Sequence, residues 1–238
     1  MGQLPTLALL PGMLCDAALW RHQRSHLGGV ANTVVVDLTQ QSSIEEMAQS
    51  VLAEMPDRFA LAGLSMGGHV AFEVLRRVPE RVVALALLGT TARPEAPDDT
   101  SRRGDLLELQ EKRRFRGFTG PLLALMLHPS RLGDAGLVQD VTAMAQRVGK
   151  TGFLRQQRAV HRRRDSRPDL PGIRCPTLVL CGRQDALAPV AAHQEIAAAI
   201  PRARLEIIEA CGHLSPLEQP EAVTAALRRF LLDALRLW

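Results

Sequence analysis

Ala60-Leu61-Ala62-Gly63-Leu64-Ser65-Met66-Gly67-Gly68-His69-Val70-Ala71-Phe72-Glu73 is the stretch that decides the fold of this chain. Residues 58–62 read as a buried strand, the run breaks at Ser65, and Val70, Phe72, Val74, Leu75 and Val78 then follow with helical spacing until Pro79. Strand, tight turn and helix around Gly63-x-Ser65-x-Gly67 is the setting of a nucleophile elbow, where a serine hydroxyl is pushed out above a sheet. The glycines answer a steric need. A serine near positive φ brings the residues two positions either side of it together, so a Cβ at 63 or 67 would strike backbone or helix. The turn also aims the first amides of the helix toward the serine oxygen, where a helix N-terminus favours developing negative charge.

Strands alternate with helices on both sides of this stretch. Residues 6–10 form a short apolar strand that stops at Pro11-Gly12, and the loop 11–16 leads to a helix containing Leu19, Trp20 and Leu27. Backbone amides of that loop are candidates for an oxyanion hole, because a strand-end loop beside the elbow can point an N–H at the same carbonyl oxygen. Residues 32–38 give a β-branched strand with Asp37 as a capping or loop residue. Ser43-x-x-Glu46 is a capping box for a helix running to about Met55. Residues 81–90, 175–182 and 203–209 are three further strands, with helices at 190–200 and 218–235. Each strand is expected to be buried on both faces, which implies a mostly parallel sheet with right-handed crossovers in an α/β fold.

The rhythm fails between Arg93 and Pro171. There the helical patterns at Leu106, Leu107 and Leu109, at 122–127 and at 138–148 suggest an inserted helical cap. The expected organisation is therefore 1–92 as the first part of an α/β core, 93–171 as the cap and 172–238 as the second part of the core. The cap holds sixteen basic residues against ten acidic ones, and the remainder thirteen against fifteen. Arg155, Arg158, Arg162, Arg163, Arg164 and Arg167 stand around one acid, Asp165. They form either a solvated helix face or a docking site for an acidic partner or anionic substrate.

Composition narrows the function classes. At 238 residues, 46% hydrophobic and 23% charged, the chain suits one soluble α/β domain with an insertion. Aromatic residues make up 3% and there is no Tyr, which argues against stacking surfaces for nucleic acid. No run approaches the roughly 18 apolar residues of a membrane span, and the first residues lack the pattern of a signal peptide. A cytoplasmic protein that binds neither nucleic acid nor membrane is expected. Cys15, Cys175, Cys181 and Cys211 lack C-x-x-C spacing and partner histidines for zinc, so they read as core residues, with neither metal nor organic cofactor expected.

A serine hydroxyl needs an adjacent imidazole to take its proton, and a carboxylate to fix the imidazole tautomer and stabilise its cation. Asp185 and His213 each stand just beyond an expected strand, at the carboxyl ends that form the active edge of parallel sheets. His22, His26, His69 and His193 fall on expected helices, and His128 and His161 in the insertion. Only His213 has the loop setting that suits a general base.

On Leu10-Pro11-Gly12-Met13, Gly63-Leu64-Ser65-Met66-Gly67-Gly68, Gly182-Arg183-Gln184-Asp185 and Cys211-Gly212-His213-Leu214, the chain resembles the α/β-hydrolase family over essentially its whole length. It is most similar to small bacterial carboxylesterases, including pimeloyl-carrier-protein methyl ester esterases, whose helical cap arches over the serine. The resemblance implies hydrolysis of a carboxylic ester or thioester, with Ser65 as nucleophile, His213 as general base and acid, and Asp185 orienting His213. It implies that the amides of Met13 and Met66 form the oxyanion hole, and that Arg155, Arg158 and Arg162 meet an acidic acyl carrier protein. Two departures stand out: Pro11-Gly12 replaces the family's common His-Gly, and Gly63-Leu64-Ser65 its Gly-His-Ser. Because oxyanion donors are backbone groups, these leave catalysis intact and the substrate open. Same-fold acyl transfer, carbon–carbon hydrolysis, peracid formation and non-catalytic ligand binding are the alternatives.

Overall fold

Six apolar runs build the sheet of the computed structural model, which describes residues 4–95 and 120–235. They are β1 (Thr6–Leu10), β2 (Asn32–Val35), β3 (Phe59–Leu64), β4 (Val82–Leu88), β5 (Thr177–Gly182) and β6 (Ala203–Ile208). All six run parallel in the order β2-β1-β3-β4-β5-β6. The chain steps outward from β1 to β2, then returns past β1 to β3, so the order reverses between β1 and β3. At such a switch point the loops leaving two strands diverge and open a crevice. β3 and β5 are buried throughout, whereas β2 and β6 are partly exposed. The expectation of burial on both faces holds in the centre and fails at the edges, where fewer helices cover the sheet.

Side chains alternate between two cores. On one face Leu7, Leu9, Ala62 and Leu180 pack with Trp20 and Leu27 and with Val223 and Phe230. On the other, Ala8, Leu10, Leu61 and Val179 pack with Met47, Val70, Val74 and Ile196. The first face is covered by α1 (Arg21–His26) and α8 (Pro220–Leu235), the second by α2 (Ile44–Glu54), α3 (Met66–Arg77) and α6 (Val190–Ala199).

Local chemistry shifts several expected boundaries. Leu19 and Trp20 lie in a 3-10 turn (Ala17–Trp20) whose Ala18 N–H is capped by Asp16 at 2.9 Å. Ser43 caps α2 by accepting from Glu46 N–H at 3.1 Å, but the Glu46 carboxylate accepts from Ser42 N–H at 2.8 Å, one residue before the expected partner. The closing helix is two pieces, α7 (Ser215–Glu218) and α8, because Pro220 has no N–H to continue a hydrogen-bonded turn.

Between β4 and β5 lie α4 (Gly120–Met126) and α5 (Ala135–His161). Gly149 breaks α5 with φ 67 and ψ 177, a conformation essentially reserved for glycine. The break lets one helix serve both cores: Leu137, Val141 and Met144 pack on the first, Ala159 and Val160 on the second. The helical pattern expected at Leu106, Leu107 and Leu109 lies outside the described residues. No described helix is long and apolar enough to cross a membrane. All four cysteines are free thiols; burial, reinforced by neighbouring Asp16, pushes Cys15 up to about 12.

Candidate active site

Ser65 joins β3 to α3 with φ 54 and ψ −112, one of three non-glycine residues with positive φ among those described. A Cβ on Gly63 would stand 2.4 Å from Gly67 O, and one on Gly67 would stand 2.2 Å from Leu10 O. Both contacts are with backbone, so neither glycine can gain a side chain without moving a strand or helix. The turn is fastened from β4: Ser65 N–H donates to Leu88 O at 2.9 Å and the Thr90 hydroxyl donates to Ser65 O at 2.9 Å.

A buried histidine supports that fastening. Thr90 N–H donates to His193 Nε2 at 3.0 Å, so the ring proton is on Nδ1, which donates to Pro189 O at 3.2 Å. Burial pulls the His193 pKa below its ordinary value and keeps the ring a neutral acceptor. His193 was visible in the sequence only as a helical histidine.

Asp185 follows β5 and His213 follows β6. His213 Nδ1 lies 3.0 and 2.9 Å from the two carboxylate oxygens of Asp185, and Oδ1 also accepts from Leu187 N–H at 2.9 Å and Ala188 N–H at 2.8 Å. Burial raises the Asp185 pKa, but the neighbouring His213 and the two N–H groups outweigh it and hold the carboxyl below the usual range. The ionised carboxylate accepts the Nδ1 proton, which leaves Nε2 as the imidazole's lone-pair edge.

The structure brings this pair to the end of the sheet that carries Ser65. Gly89 sits one residue beyond the acceptor of the Ser65 N–H, and a Cβ on it would stand 3.3 Å from both Asp185 Oδ2 and His213 Nδ1.

The loop after β1 closes the other side. A Cβ on Gly12 would stand 3.5 Å from Ser65 Cβ, which places the loop against the elbow. Among the described residues, neither Met13 N–H nor Met66 N–H donates to a protein acceptor. Met66 opens α3, where helix geometry leaves its N–H without an internal partner. The neighbouring Leu14 N–H is occupied, donating to Gln156 Oε1 at 2.9 Å.

Two supporting residues were not singled out from sequence. Gln156 is a buried polar side chain on α5, and Glu218 is a buried carboxylate on α7. Glu218 Oε2 accepts from His128 N–H at 2.6 Å and Gly212 N–H at 3.2 Å, tying the loop of His213 to the end of α4. Burial raises its pKa against the pull of those N–H groups. Ordinary helical polar residues give no local signal of such long-range duty; only Glu218, six residues beyond Gly212, was within reach of inspection.

The arginines lie elsewhere and are not equivalent. The side chains of Arg158 and Arg162 are exposed and form no hydrogen bond or ion pair with the described residues. Arg155 donates to Gln40 Oε1 at 2.9 Å and Arg167 pairs with Asp165 at 2.6 Å. No group of three or more His, Cys, Asp or Glu among the described residues is arranged to hold a metal.

The family model described as "Alpha/beta hydrolase family" matches residues 7–226. The chain is 29% identical to the pimeloyl-acyl-carrier-protein methyl ester esterase of Aromatoleum aromaticum, over 75% of this chain and 76% of that protein. It is 26% identical to the putative carbamate hydrolase RutD of Escherichia coli, over 97% of this chain and 92% of that one. Among solved structures, the thermophilic esterase of Thermogutta terrifontis superposes with a TM-score of 0.88 at 28% identity, covering 98% of this chain and 92% of its own.

Proposed function

The chain belongs to the alpha/beta hydrolase family, and on that premise we propose that it hydrolyses a carboxylic ester or thioester through an acyl-enzyme. Ser65 Oγ attacks the carbonyl carbon while His213 Nε2 takes its proton. Asp185 holds the Nδ1–H tautomer and stabilises the imidazolium that forms. The negative charge on the carbonyl oxygen is received by the N–H groups of Met13 and Met66, which are worth most in the transition state, where that charge is largest. His213 then delivers its proton to the leaving alcohol or thiol, and water, deprotonated by the same nitrogen, clears the acyl group from Ser65.

One observation carries this reading: Ser65 is held at φ 54 between two glycines that admit no Cβ, while a buried carboxylate–imidazole pair stands beside the same strand end. Backbone strain of this kind costs about 1–3 kcal/mol and persists where the surroundings enforce it. Within the proposal, residues 93–171 are a cap whose side chains select the acyl group, between the two core parts 1–92 and 172–238. The protein works in the cytoplasm without a cofactor.

The partner follows from charge. The guanidinium groups of Arg158 and Arg162 are exposed and form no ion pair with the described residues, and beside Arg155 they suit an acidic acyl carrier protein delivering its acyl ester. The esterase of Aromatoleum aromaticum bears a carrier protein in its name, which favours this substrate over a free ester.

The test is a panel of p-nitrophenyl esters of increasing chain length beside acyl thioesters, with fluorophosphonate labelling of wild type and Ser65→Ala. Turnover, together with labelling that disappears in the variant, is expected. Absence of turnover on every ester and thioester sinks the proposal, and labelling without turnover transfers weight to a ligand-binding member of the fold.

A further inference from the structure

Buried charges are as a rule paired, because a lone ion taken out of water is costly. Glu218 departs from that rule: none of its surface is exposed, and it forms no ion pair among the described residues. Its partners are backbone amides, and they meet one oxygen. Oε2 accepts from His128 N–H at 2.6 Å and from Gly212 N–H at 3.2 Å, whereas Oε1 is buried without a hydrogen bond among the described residues. Two donors at Oε2 require an acceptor there, so a proton on this carboxyl could sit only on Oε1, where nothing receives it. The hydrogen bonding therefore suits the ionised form.

That carboxylate lies against the loop of His213. Gly212 immediately precedes the imidazole residue, and a Cβ on it would stand 3.0 Å from Glu218 Oε1 and 2.6 Å from His128 N. The loop is braced in this position, since His213 N–H and Leu214 N–H both donate to Met126 O, at 2.9 and 3.2 Å. Burial pushes the Glu218 carboxyl up, while the N–H groups of His128, Gly212 and Leu214 and the charge of His213 draw it back. An interaction between two charges is mutual, so an ionised Glu218 favours positive charge on the His213 ring. Burial, followed by the charges of Glu218 and Asp185, pushes the intervening Cys211 thiol up, which places both carboxylates about one loop.

The other titratable groups around the loop do not offset them. Burial keeps His193 on α6 a neutral ring and pushes the Cys181 thiol up to about 11. Arg131, in the turn Pro129–Arg131, pairs with Asp134 at 3.0 Å, and the His128 ring lies 2.7 Å from Ser130 Oγ.

We propose that Glu218 is a positioning residue for His213 whose buried charge, added to that of Asp185, stabilises the imidazolium formed when Ser65 gives up its proton. This rests on the ester-hydrolase proposal above, in which His213 is the general base. No proton moves to Glu218: the one from Ser65 Oγ passes to His213 Nε2 and on to the leaving group. The buried surroundings let the charge act across the intervening peptide, where water and salt would screen it.

The experiment compares pH profiles of kcat/KM for p-nitrophenyl butyrate in wild type, Glu218→Gln and Glu221→Gln. Glu218→Gln keeps an oxygen for the two N–H groups and removes the charge. Without that charge the imidazole releases its proton at lower pH, so the acid limb should fall by about 0.4–1.5 pH units, the size of a unit charge several ångströms away at an effective dielectric of about 20 or somewhat above. On the plateau kcat should fall about 3- to 30-fold, because the imidazolium in the transition state loses the same support. Glu221, whose side chain is 83% exposed, is the control, and its removal should leave the limb within about 0.2 units. A Glu218 that only ties the loop together predicts a lower kcat with the limb unmoved.

An acid limb in Glu218→Gln that falls by less than about 0.4 units, or rises, overturns the proposal whatever the change in kcat. Should Glu218→Gln not fold, the carboxyl carbon resonance of Glu218 is followed by NMR against pH in wild type. A carboxyl already ionised where His213 takes up its proton supports the proposal, and one still protonated there overturns it. Should wild type hydrolyse no ester, the proposed function fails separately, and the ring nitrogen resonances of His213 in wild type and Glu218→Gln read the same coupling. A lower midpoint in the variant supports it; equal midpoints overturn it.

Discussion

Replacing Asp185 by Asn tests the proposed chemistry most sharply, because the structure dictates how the new amide must sit. Leu187 and Ala188 both point N–H groups at Oδ1, at 2.9 and 2.8 Å. The asparagine oxygen therefore takes that position and its NH₂ takes the place of Oδ2, 2.9 Å from His213 Nδ1. An NH₂ there donates, so Nδ1 must accept and the ring proton moves to Nε2. That tautomer has no lone pair to offer the Ser65 hydroxyl. The expected loss in kcat is about 10⁴-fold, roughly 5.5 kcal/mol of transition-state stabilisation, the size found when a triad carboxylate is made neutral without disturbing geometry. Folding should suffer less. Only the charge assistance of three hydrogen bonds is lost, about 2–3 kcal/mol, or a fall of roughly 4–12 °C in Tm for a chain of this size. Hydrolysis of p-nitrophenyl butyrate and a thermal melt on the same preparation read both quantities. A folded Asp185→Asn protein with kcat within tenfold of wild type would refute the assignment of Asp185.

Gly63→Ala and Gly67→Ala should each destabilise by about 3 kcal/mol or more, since their methyl groups would stand 2.4 and 2.2 Å from backbone oxygens; a melt within 2 °C of wild type contradicts the elbow geometry. Stability should fall as pH drops below about 6.5, because unfolded His193 takes up a proton that the buried ring resists, and should fall again through the acid range as unfolded carboxyl groups, but not Asp185, gain theirs. Urea midpoints from pH 8 to pH 3 check the sign, and His193→Gln should flatten the upper step. Gly149→Ala should cost about 1–3 kcal/mol from the strain of φ 67, measured by urea unfolding, with no loss counting against the kink as a requirement. Changing Arg155, Arg158 and Arg162 to Glu should raise KM for a carrier-bound acyl ester and leave a small soluble ester unaffected; equal effects on both would remove the carrier.

Sequence makes some of this molecule legible because certain constraints are local. Gly63, Ser65 and Gly67 belong to one turn, so the steric demand of a positive φ is written within five residues. The run of buried strands separated by helices fixes a parallel sheet, since crossovers leave little choice. Asp185 and His213 were placed at strand ends by the same logic. What stayed hidden depends on residues far apart. Nothing in Gln156 marks it as the acceptor for Leu14, and nothing in Leu14 announces φ 61. The helical pattern read at 138–148 stops just before the break at Gly149, and the basic stretch beyond it gave no apolar spacing to show that the helix runs on to His161; the partial exposure of β2 and β6 follows from their places at the edges of the sheet, which strand composition does not encode.

The distribution of these hidden contacts bears on what the β4–β5 segment contributes. Met126 O accepts from both His213 N–H and Leu214 N–H, at 2.9 and 3.2 Å, and His128 N–H meets the carboxylate that also holds Gly212. At the other end of the segment, Gln156 holds the loop of Met13. The two loops that flank Ser65 are thus each pinned by the segment between β4 and β5, the loop of His213 also by Gln184 just beyond β5. Substitutions that loosen α4 or α5 should then lower kcat on a small ester that barely contacts the acyl pocket, whereas substitutions that only reshape pocket walls should change preference among chain lengths. A cap acting solely as a wall would give the second effect without the first, and p-nitrophenyl acetate beside the octanoate, assayed on Gln156→Met, separates the two.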